Sequence, residues 1–434
     1  MLAYLKQPGV APIVLSAACI MMVTMGIRQS TGLLVSPINT ASGLGIASIS
    51  FALAIGQFMW GAAQPIAGAI ADRYGPSRVL MTALLMLAIG CAATPLLYGS
   101  TWGLTLAMGF LMAVGSGGAS FSVLMGAAAQ KLPERVRGPA SGFVNAGGSF
   151  GQFVFAPALQ KMIQTAGWMN GLFALALVSL AALPLIRTLV GDKARDKGDG
   201  KTAHEVQNNE TNAASANPSG GHGDSGNAAL QTAPTQESLG TAIREAFRDR
   251  SYWLLHAGFF TCGFHIAFLI THLPGEIDLC GLPAAVASTS IAIIGLSNIA
   301  GSLLAGASLT RWLGKHVLFV MYGSRAVMIA LYLALPKTEM TFYVFAIGLG
   351  LTWLATVPPT ASIVGKLFGP RYLGTLFGLT VLSHQIGGFL GAWLGGLAIV
   401  KTGDYAWMWW ADIALAAMAA GANLPIREEK VLRV

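Results

Sequence analysis

Charged residues are unusually scarce in this sequence. Asp, Glu, Lys and Arg make up 10% of its 434 residues, whereas hydrophobic residues make up 54%. A soluble domain usually contains about 25% charged residues, so this chain has too little polar surface to cover a water-soluble core. The shortage excludes an ordinary soluble protein and indicates a chain whose solvent is the lipid bilayer.

Cysteine is also scarce, and its spacing excludes the common disulfide and zinc frameworks. The four cysteines, Cys19, Cys91, Cys262 and Cys280, form no C-x-x-C pair, and three of them lie inside apolar runs. The sequence likewise lacks the Ser/His/Asp spacing of a hydrolase, a cluster of metal ligands and a nucleotide-binding loop. We therefore expect no metal, no cofactor and no enzyme activity.

Twelve long apolar runs are present, six before a polar gap and six after it. A membrane-spanning helix needs about 20 mostly apolar residues, and each run approaches or exceeds that length. The runs lie at about 11–35, 46–70, 79–98, 102–128, 138–160, 169–188, 253–273, 284–309, 317–335, 341–364, 374–399 and 405–425. This order predicts an all-α membrane protein with twelve transmembrane helices in two six-helix bundles, residues 1–190 and 251–434.

Lys and Arg are distributed unevenly between the two ends of these spans. With the N-terminus inside, 21 of the 26 lie in cytoplasmic segments, and only Lys161, Lys337 and Lys401 lie in outer loops. Basic residues favour the cytoplasmic side, so both termini are predicted to be cytoplasmic. The net charge of +8 comes from short clusters between spans, a pattern that indicates topology and excludes a nucleic-acid partner.

The polar gap between the bundles, residues 191–250, is predicted to be a cytoplasmic linker. Its first part is rich in Gly, Ser and Asn and poor in aromatic residues, a composition typical of disordered linkers. Its last part carries Ile243 and Phe247 four residues apart with arginines around them. That spacing predicts a short amphipathic helix at the membrane surface before the seventh span.

Two short loop sequences recur in the second half of the chain at nearly constant spacing. The segment 68–78 recurs at 306–316, a shift of 238 residues, and the segment 131–142 recurs at 366–378, a shift of 236. The two pairs occupy the second-to-third and fourth-to-fifth connections of each half. Parallel six-helix repeats with a binding site between them are a known plan of secondary transporters, so the spacing predicts two pseudo-repeats of that kind.

The first of these loops resembles the G-x-x-x-D-R-x-G-x-x-[RK] signature of the major facilitator superfamily. The matching residues are Gly68, Asp72, Arg73, Gly75 and Arg78. The resemblance implies the major facilitator fold and a cytoplasmic gating role for this loop, in which a carboxylate favours a helix N-terminus and an arginine binds carboxylates or carbonyls. The second-half copy has Thr310 in place of the aspartate.

Three further strings resemble bacterial members of the monocarboxylate porter and oxalate/formate antiporter branch. They are Gly26-Ile-Arg28-Gln-Ser-Thr-Gly-Leu in span 1, Phe264-His265-Ile-Ala-Phe-Leu-Ile-Thr-His272-Leu-Pro274 in span 7 and Ser383-His384-Gln385-Ile-Gly387-Gly388 in span 11. This resemblance implies a multi-pass protein of a bacterial inner membrane that moves a small organic anion, such as a monocarboxylate, by symport or exchange. We expect it to act as a monomer.

Two arginines lie within the spans, where a charge is costly unless it faces a cavity or a partner. Arg28 in span 1 suits a carboxylate, with Gln29 adding a hydrogen bond; the alternative is an arginine that extends to the outer interface. Arg325 in span 9 either binds substrate or forms a structural ion pair with Asp412 of span 12. Counting along the helices places the last two at similar depth.

Histidines and amides complete the set of candidate site residues. His265 and His384 lie near the middle of spans 7 and 11, where a histidine can carry a transported proton or bind substrate; either can instead be a neutral core residue. Asn145 and Asn298 either line the cavity or join helix to helix. The sequence Val357-Pro358-Pro359 should break span 10 and, with the glycine-rich span 4, provide hinges for alternating access.

The sequence thus predicts a secondary active transporter for a small organic anion, coupled to protons or working by exchange. The main alternative is a multidrug or metabolite exporter on the same fold. Such pumps usually use carboxylates within the membrane, whereas the only one in a predicted span here is Asp412. A transport-derived sensor is a further alternative, although the linker contains no recognisable signalling domain.

Overall fold

The computed structural model describes residues 9–129, 131–190, 239–309, 311–369 and 373–428. These residues form helices and short connections, and each predicted span corresponds to one long helix. The helices are α1 (Val10–Gln29), α2 (Ile46–Tyr74), α3 (Pro76–Leu97), α4 (Thr101–Ala128), α5 (Glu134–Ala166), α6 (Trp168–Leu189), α7 (Arg250–Leu279), α8 (Ala284–Ser308), α9 (Gly314–Ala334), α10 (Glu339–Phe368), α11 (Leu373–Thr402) and α12 (Ala406–Asn423).

Within the described ranges, nine of these helices are long and apolar enough to cross a membrane. The other three are α5, α11 and α12, whose sequences contain more Gly, polar or Trp residues. Each of the three packs along apolar helices, since α5 contacts α1, α11 contacts α7, and α12 contacts α9. Small residues at such contacts let helix backbones approach closely in lipid.

The two halves of the chain repeat in structure as well as in sequence. Helices α8, α9, α10 and α12 each begin 238 residues after α2, α3, α4 and α6, respectively. The glycines with positive φ that precede α2 and α8, Gly45 and Gly281, are 236 residues apart, and so are Gly167 and Gly403 before α6 and α12. Positive φ is strained for residues with a side chain, so these turns favour glycine in both halves.

Helix packing follows the same repeat. The contacts of α1 with α5, α2 with α4 and α3 with α6 recur as contacts of α7 with α11, α8 with α10 and α9 with α12. The two bundles meet through α2 against α11 and α5 against α8, which are equivalent pairs under the repeat. A central site between the bundles is therefore bounded by α2, α5, α8 and α11.

Two helices are interrupted at equivalent places. The α-helical part of α4 ends at Gly118 and resumes at Phe121, and that of α10 ends at Thr352 and resumes at Val357. Pro358 and Pro359 lie in the first turn after the α10 break, where proline is tolerated because the first amides of a helix lack helical partners. The predicted break in span 10 is thereby confirmed, and α4 carries an equivalent one.

The two bundles touch at one end and separate at the other. Toward the outer loops a Cβ on Gly396 would lie 2.4 Å from the Ser50 side chain, and one on Gly295 would lie 2.7 Å from the Ser149 carbonyl. Near the loops that carry most Lys and Arg, which we call the basic side, four glycines have open space beside them. They are Gly68, Gly142, Gly306 and Gly378. The central cavity therefore opens toward the basic side.

The segment before α7 is helical, as its sequence predicts. It spans Leu239–Ala246, and it buries Ala242 and Ala246. The Phe247 ring then packs 5.4 Å from that of Tyr252, which fixes the entry into α7. The remainder of the predicted linker, 191–238, lies outside the described residues. All four cysteines are free.

The C-terminal tail lies across the basic side of the second bundle. The Glu428 carboxylate accepts a hydrogen bond of 2.5 Å from the backbone N–H of Lys315 in the first turn of α9, and pairs with the Lys366 ammonium at 2.8 Å. Arg427 pairs with Asp249, the N-cap of α7, at 2.7 Å. Burial opposes ionisation of Glu428, but these hydrogen bonds outweigh it and lower the pKa of its carboxyl.

Replacing Glu428 by Gln is expected to lower stability at neutral pH by about 0.5–1 kcal/mol, the size of a helix-dipole interaction near the surface. Because the folded pKa is lowered, the stabilisation is present above the unfolded pKa of about 4.5 and is lost as the pH falls through the folded pKa. Thermal unfolding in detergent from pH 7 to pH 4 measures it. Glu245→Gln, at an exposed position, is the control, and equal losses in both variants would contradict the tail contact.

Candidate functional site

The candidate site begins where the first helix is interrupted. Helix α1 ends at Gln29, a single 3-10 turn follows over Thr31–Leu34, and a short helix continues over Val35–Ser42. The hydroxyls of Ser30 and Thr31 donate to the carbonyls of Gly26 and Arg28 at 2.8 and 2.9 Å, contacts that compete with regular helix bonding. The interruption leaves Arg28 in the last turn of α1, where a cation is favourable.

Arg28 is held by neutral groups. Its guanidinium donates to the side-chain oxygen of Gln57, donates to that of Gln29 at 3.4 Å, and lies 4.0 Å from the ring centroid of Trp60. Among the described residues no carboxylate pairs with it. A half-buried guanidinium that is oriented but not neutralised is suited to bind an anion, because its planar fork matches a carboxylate.

A small cavity of about 30 Å³ lies beside Arg28 within the first bundle. Polar groups of Arg28, Thr31, Gln57 and Ser116 line one part of it. Apolar side chains line the rest, namely Ile27, Leu53, Leu87, Met108, Met112 and Ala113. A convergent charged group in a largely apolar pocket is the usual composition of a small-molecule site.

His384 lies on α11 between the two bundles. Its ring is half-buried, packs 5.0 Å from the Phe259 ring and lies with its Nδ1 3.4 Å from the side-chain nitrogen of Gln385. The charges of both Arg28 and Arg325 reach its imidazole. The structure therefore places His384 between the two arginines that the sequence singles out.

His265 forms a short contact with an aspartate in the interior of the second bundle. Its Nδ1 lies 2.5 Å from the Asp412 carboxylate, and both side chains are 0% exposed. Arg325 is also 0% exposed. It donates to the Thr352 carbonyl at 2.6 Å, at the point where α10 breaks. Neither of the two positions that the sequence left open for Arg325 is observed: Asp412 contacts His265 instead, and Arg325 does not face the cavity.

The amides differ in their surroundings. Asn298 is 1% exposed; it donates to the Ser149 hydroxyl at 2.8 Å and accepts from the backbone N–H of Leu354 at 3.0 Å. It thus connects α8 with α5 of the other bundle and with the break in α10. Asn145 is half-buried on α5. Gln29 is buried against Arg28.

Two polar contacts near the cavity escape sequence reasoning. Trp60 covers the face of Arg28, although its position on α2 gives no local sign of that contact. His256 lies with its Nδ1 2.6 Å from the Ser383 hydroxyl and so joins α7 to α11 one residue before His384. The Ser383-His384-Gln385 string was the available signal for a polar helix contact there.

The loop signature lies at the end of α2 on the basic side. Helix α2 ends at Tyr74, Gly75 turns with φ of 89°, and Pro76 begins α3. Arg73 is exposed, with its guanidinium 5.2 Å from the Tyr74 ring centroid, and Arg78 is exposed as well. The side chain of Asp72 and the residue Thr310 lie outside the described part of the structure.

Comparison with known proteins gives a family and several distant relatives. The oxalate:formate antiporter of Oxalobacter formigenes is 22% identical over 87% of this chain and 82% of its own length. Monocarboxylate transporter 13 of Rattus norvegicus is 25% identical over 91% of this chain and 83% of its own length. The crystal structure of a D-xylose-proton symporter matches with a TM-score of 0.69 at 15% identity, covering 96% of this chain and 98% of that one, which shows the fold alone.

The family model of the Major Facilitator Superfamily matches residues 14–392, nearly the whole chain. It confirms the predicted fold of twelve transmembrane helices in two six-helix repeats. These relatives are transporters, so the predictions of a multi-pass transporter and of a chain that is not an enzyme are confirmed as well. On the family match, the chain belongs to the major facilitator superfamily.

Proposed function

We propose that this chain transports a small organic anion, specifically a monocarboxylate, by alternating access, with protons or a second anion as the coupled species. Arg28 carries the proposal. It is a half-buried guanidinium in the middle of a membrane protein, it has no acidic partner among the described residues, and it lines a cavity. A charge in that position is costly, and a bound carboxylate would compensate it.

The proposed contacts follow the burial of each candidate. Arg28 binds the carboxylate, Gln29 orients the guanidinium, and Asn145 and His384 face the substrate from α5 and α11. His384 also lies in the range of two positive charges, so a substrate anion beside it would favour its protonation. That is the proposed basis for proton coupling at this residue.

The other three candidates would act from behind the cavity. His265, Asn298 and Arg325 are buried in this state, so we assign them to coupling and to helix position in addition to any contact with substrate in other states. The name of the oxalate:formate antiporter, a relative at 22% identity, supports carboxylates and the exchange mode for this chain. The name of monocarboxylate transporter 13 supports the substrate class.

The proposed orientation follows the charge distribution. Lys and Arg favour cytoplasmic loops, so the basic side is placed in the cytoplasm, with both termini inside a bacterial inner membrane and the protein acting as a monomer. The central cavity then opens inward. The loop residues Gly68, Asp72, Arg73, Gly75 and Arg78 would close this side when the bundles rock together, with residues 191–250 linking bundles 1–190 and 251–434.

Transport by the purified protein in proteoliposomes tests the proposal. Labelled lactate, pyruvate and oxalate are offered with and without a pH gradient, and with and without unlabelled carboxylate inside the vesicles. We expect uptake of at least one of them above protein-free vesicles, stimulated by the pH gradient or by internal carboxylate. Efflux of cationic dyes with no carboxylate movement would instead favour the exporter on the same fold.

A further inference from the structure

The interior of the second bundle contains a cluster of three ionisable side chains that the carboxylate site does not use. His265 of α7, Arg325 of α9 and Asp412 of α12 are each 0% exposed. With Arg325 charged, Asp412 ionised and His265 neutral, the cluster has no net charge. Ionisable groups inside a membrane protein are rare and mark functional positions.

The polar atoms of this cluster are incompletely paired. His265 Nε2, Asp412 Oδ1 and the Nε and Nη1 atoms of Arg325 are buried without a hydrogen-bond partner. Native proteins leave few buried polar atoms unpaired, and each such atom needs an explanation. Four of them on three neighbouring side chains point to a cluster that has a second arrangement.

We propose that Asp412 is the proton-binding residue of the transporter, with His265 as its partner and Arg325 as the group that responds to its charge. The proposal rests on the transport function proposed above. A proton from solution binds at the His265–Asp412 pair, whose 2.5 Å contact corresponds to the loaded arrangement. When the proton leaves, the Asp412 carboxylate becomes negative and attracts the guanidinium of Arg325, which keeps its own charge throughout.

The surroundings leave Arg325 as the counter-charge. From α9 itself the cluster is faced by Tyr322, from α7 by Cys262, from α10 by Trp353 and Thr356, and from α11 by His384, which the charge of Arg325 reaches. None of these side chains is permanently charged. Since α9 packs directly against α12, Arg325 is the cation available to an ionised Asp412.

Movement of Arg325 would act on the break in α10. In the present arrangement its guanidinium binds the carbonyl of Thr352, the last residue before the break. The next residues of the break are held by Asn298, which accepts from the Leu354 N–H and donates to Ser149 of the other bundle. Proton release is thereby connected to the contact between α8 and α5 through a continuous chain of hydrogen bonds.

Asp412→Asn tests the inference because Asn imitates the protonated, neutral carboxyl. The measurements are accumulation of the labelled carboxylate on a pH gradient and exchange against internal carboxylate without a gradient. We expect accumulation to fall by about tenfold or more, the usual size of coupling between two sites, while exchange stays within about twofold to threefold of the wild type. Ser324→Ala, beside Arg325 on α9, is the control.

Wild-type-like accumulation by Asp412→Asn would overturn the inference. A parallel loss of exchange in protein of normal thermal stability would also overturn it, because Asp412 would then be structural. If Asp412→Asn does not fold, Arg325→Gln is measured instead. Removal of the counter-charge should raise the pH midpoint of proton-driven uptake, and a reduced rate with an unchanged midpoint counts against the inference.

The two proposals fail in distinguishable ways. A wild-type protein that exchanges carboxylates but never accumulates them on a pH gradient overturns the role of Asp412 and leaves the anion transporter standing. A wild-type protein that neither exchanges nor accumulates carboxylates overturns the proposed function itself.

Discussion

Replacing Arg28 by Gln is expected to reduce carboxylate uptake by about 100-fold, since truncating one partner of a buried charge pair costs about 2–5 kcal/mol. Gln keeps the length and a hydrogen bond to Gln57, so the fold is retained, but it offers no charge to the substrate. Arg28→Lys keeps the charge and loses the planar fork and the contact with the Trp60 ring. We expect it to retain part of the uptake at a raised KM.

The control for this prediction is an arginine outside the spans. Arg311→Gln removes the same charge at an exposed position on the basic side, and it should change uptake by less than about twofold. Uptake is measured in proteoliposomes at matched protein content, with thermal stability in detergent recorded for each variant. Full uptake by a stable Arg28→Gln protein would remove Arg28 from the substrate site.

The spans and their repeat could be predicted because each depends on local sequence. An apolar run of about 20 residues has few alternatives to a membrane helix, and a loop that recurs at constant spacing reveals the copying directly. Arg28 could be singled out for a similar reason, since a lone charge in a span is costly wherever its helix points. The break in α10 followed from Pro358 and Pro359.

The partners inside the bundles could not be predicted, because they depend on how each helix is rotated. Counting residues gives depth and correctly placed Arg325 near the level of Asp412. It gives no rotation, however, and the rotation of α12 directs Asp412 to His265 instead. The contact of Trp60 with Arg28 depends in the same way on the packing of α2 against α1.

The interruption of α1 also went unpredicted, because no proline marks it. It arises from the hydroxyls of Ser30 and Thr31, which bond back to helix carbonyls. Gly32 then approaches α7 so closely that a Cβ there would lie 1.9 Å from the Ile270 carbonyl. That approach is a tertiary contact, so the sequence of α1 alone carries no sign of it.

Replacing Gly391 by Val is expected to destroy the packing of α7 against α11. A Cβ at this position would lie 2.2 Å from the Phe264 carbonyl, and Gly263 and Gly387 face the opposite helix backbone at similar distances. Backbone atoms cannot move aside as a flexible side chain can, so the helices must separate. Overpacking typically costs about 1–3 kcal/mol and sometimes more, and collision with backbone places Gly391→Val at the upper end.

Gly378→Val is the matched control, because it makes the same change on the same helix where a Cβ meets open space. It isolates the helix propensity of Val, which differs from that of Gly by a few tenths of a kcal/mol. Yield of monodisperse protein and the thermal unfolding midpoint in detergent are measured for both. We expect a large loss for Gly391→Val and little change for Gly378→Val. Equal midpoints would mean that α7 and α11 are not held at this distance, and the positions given for His265 and His384 would then fail together.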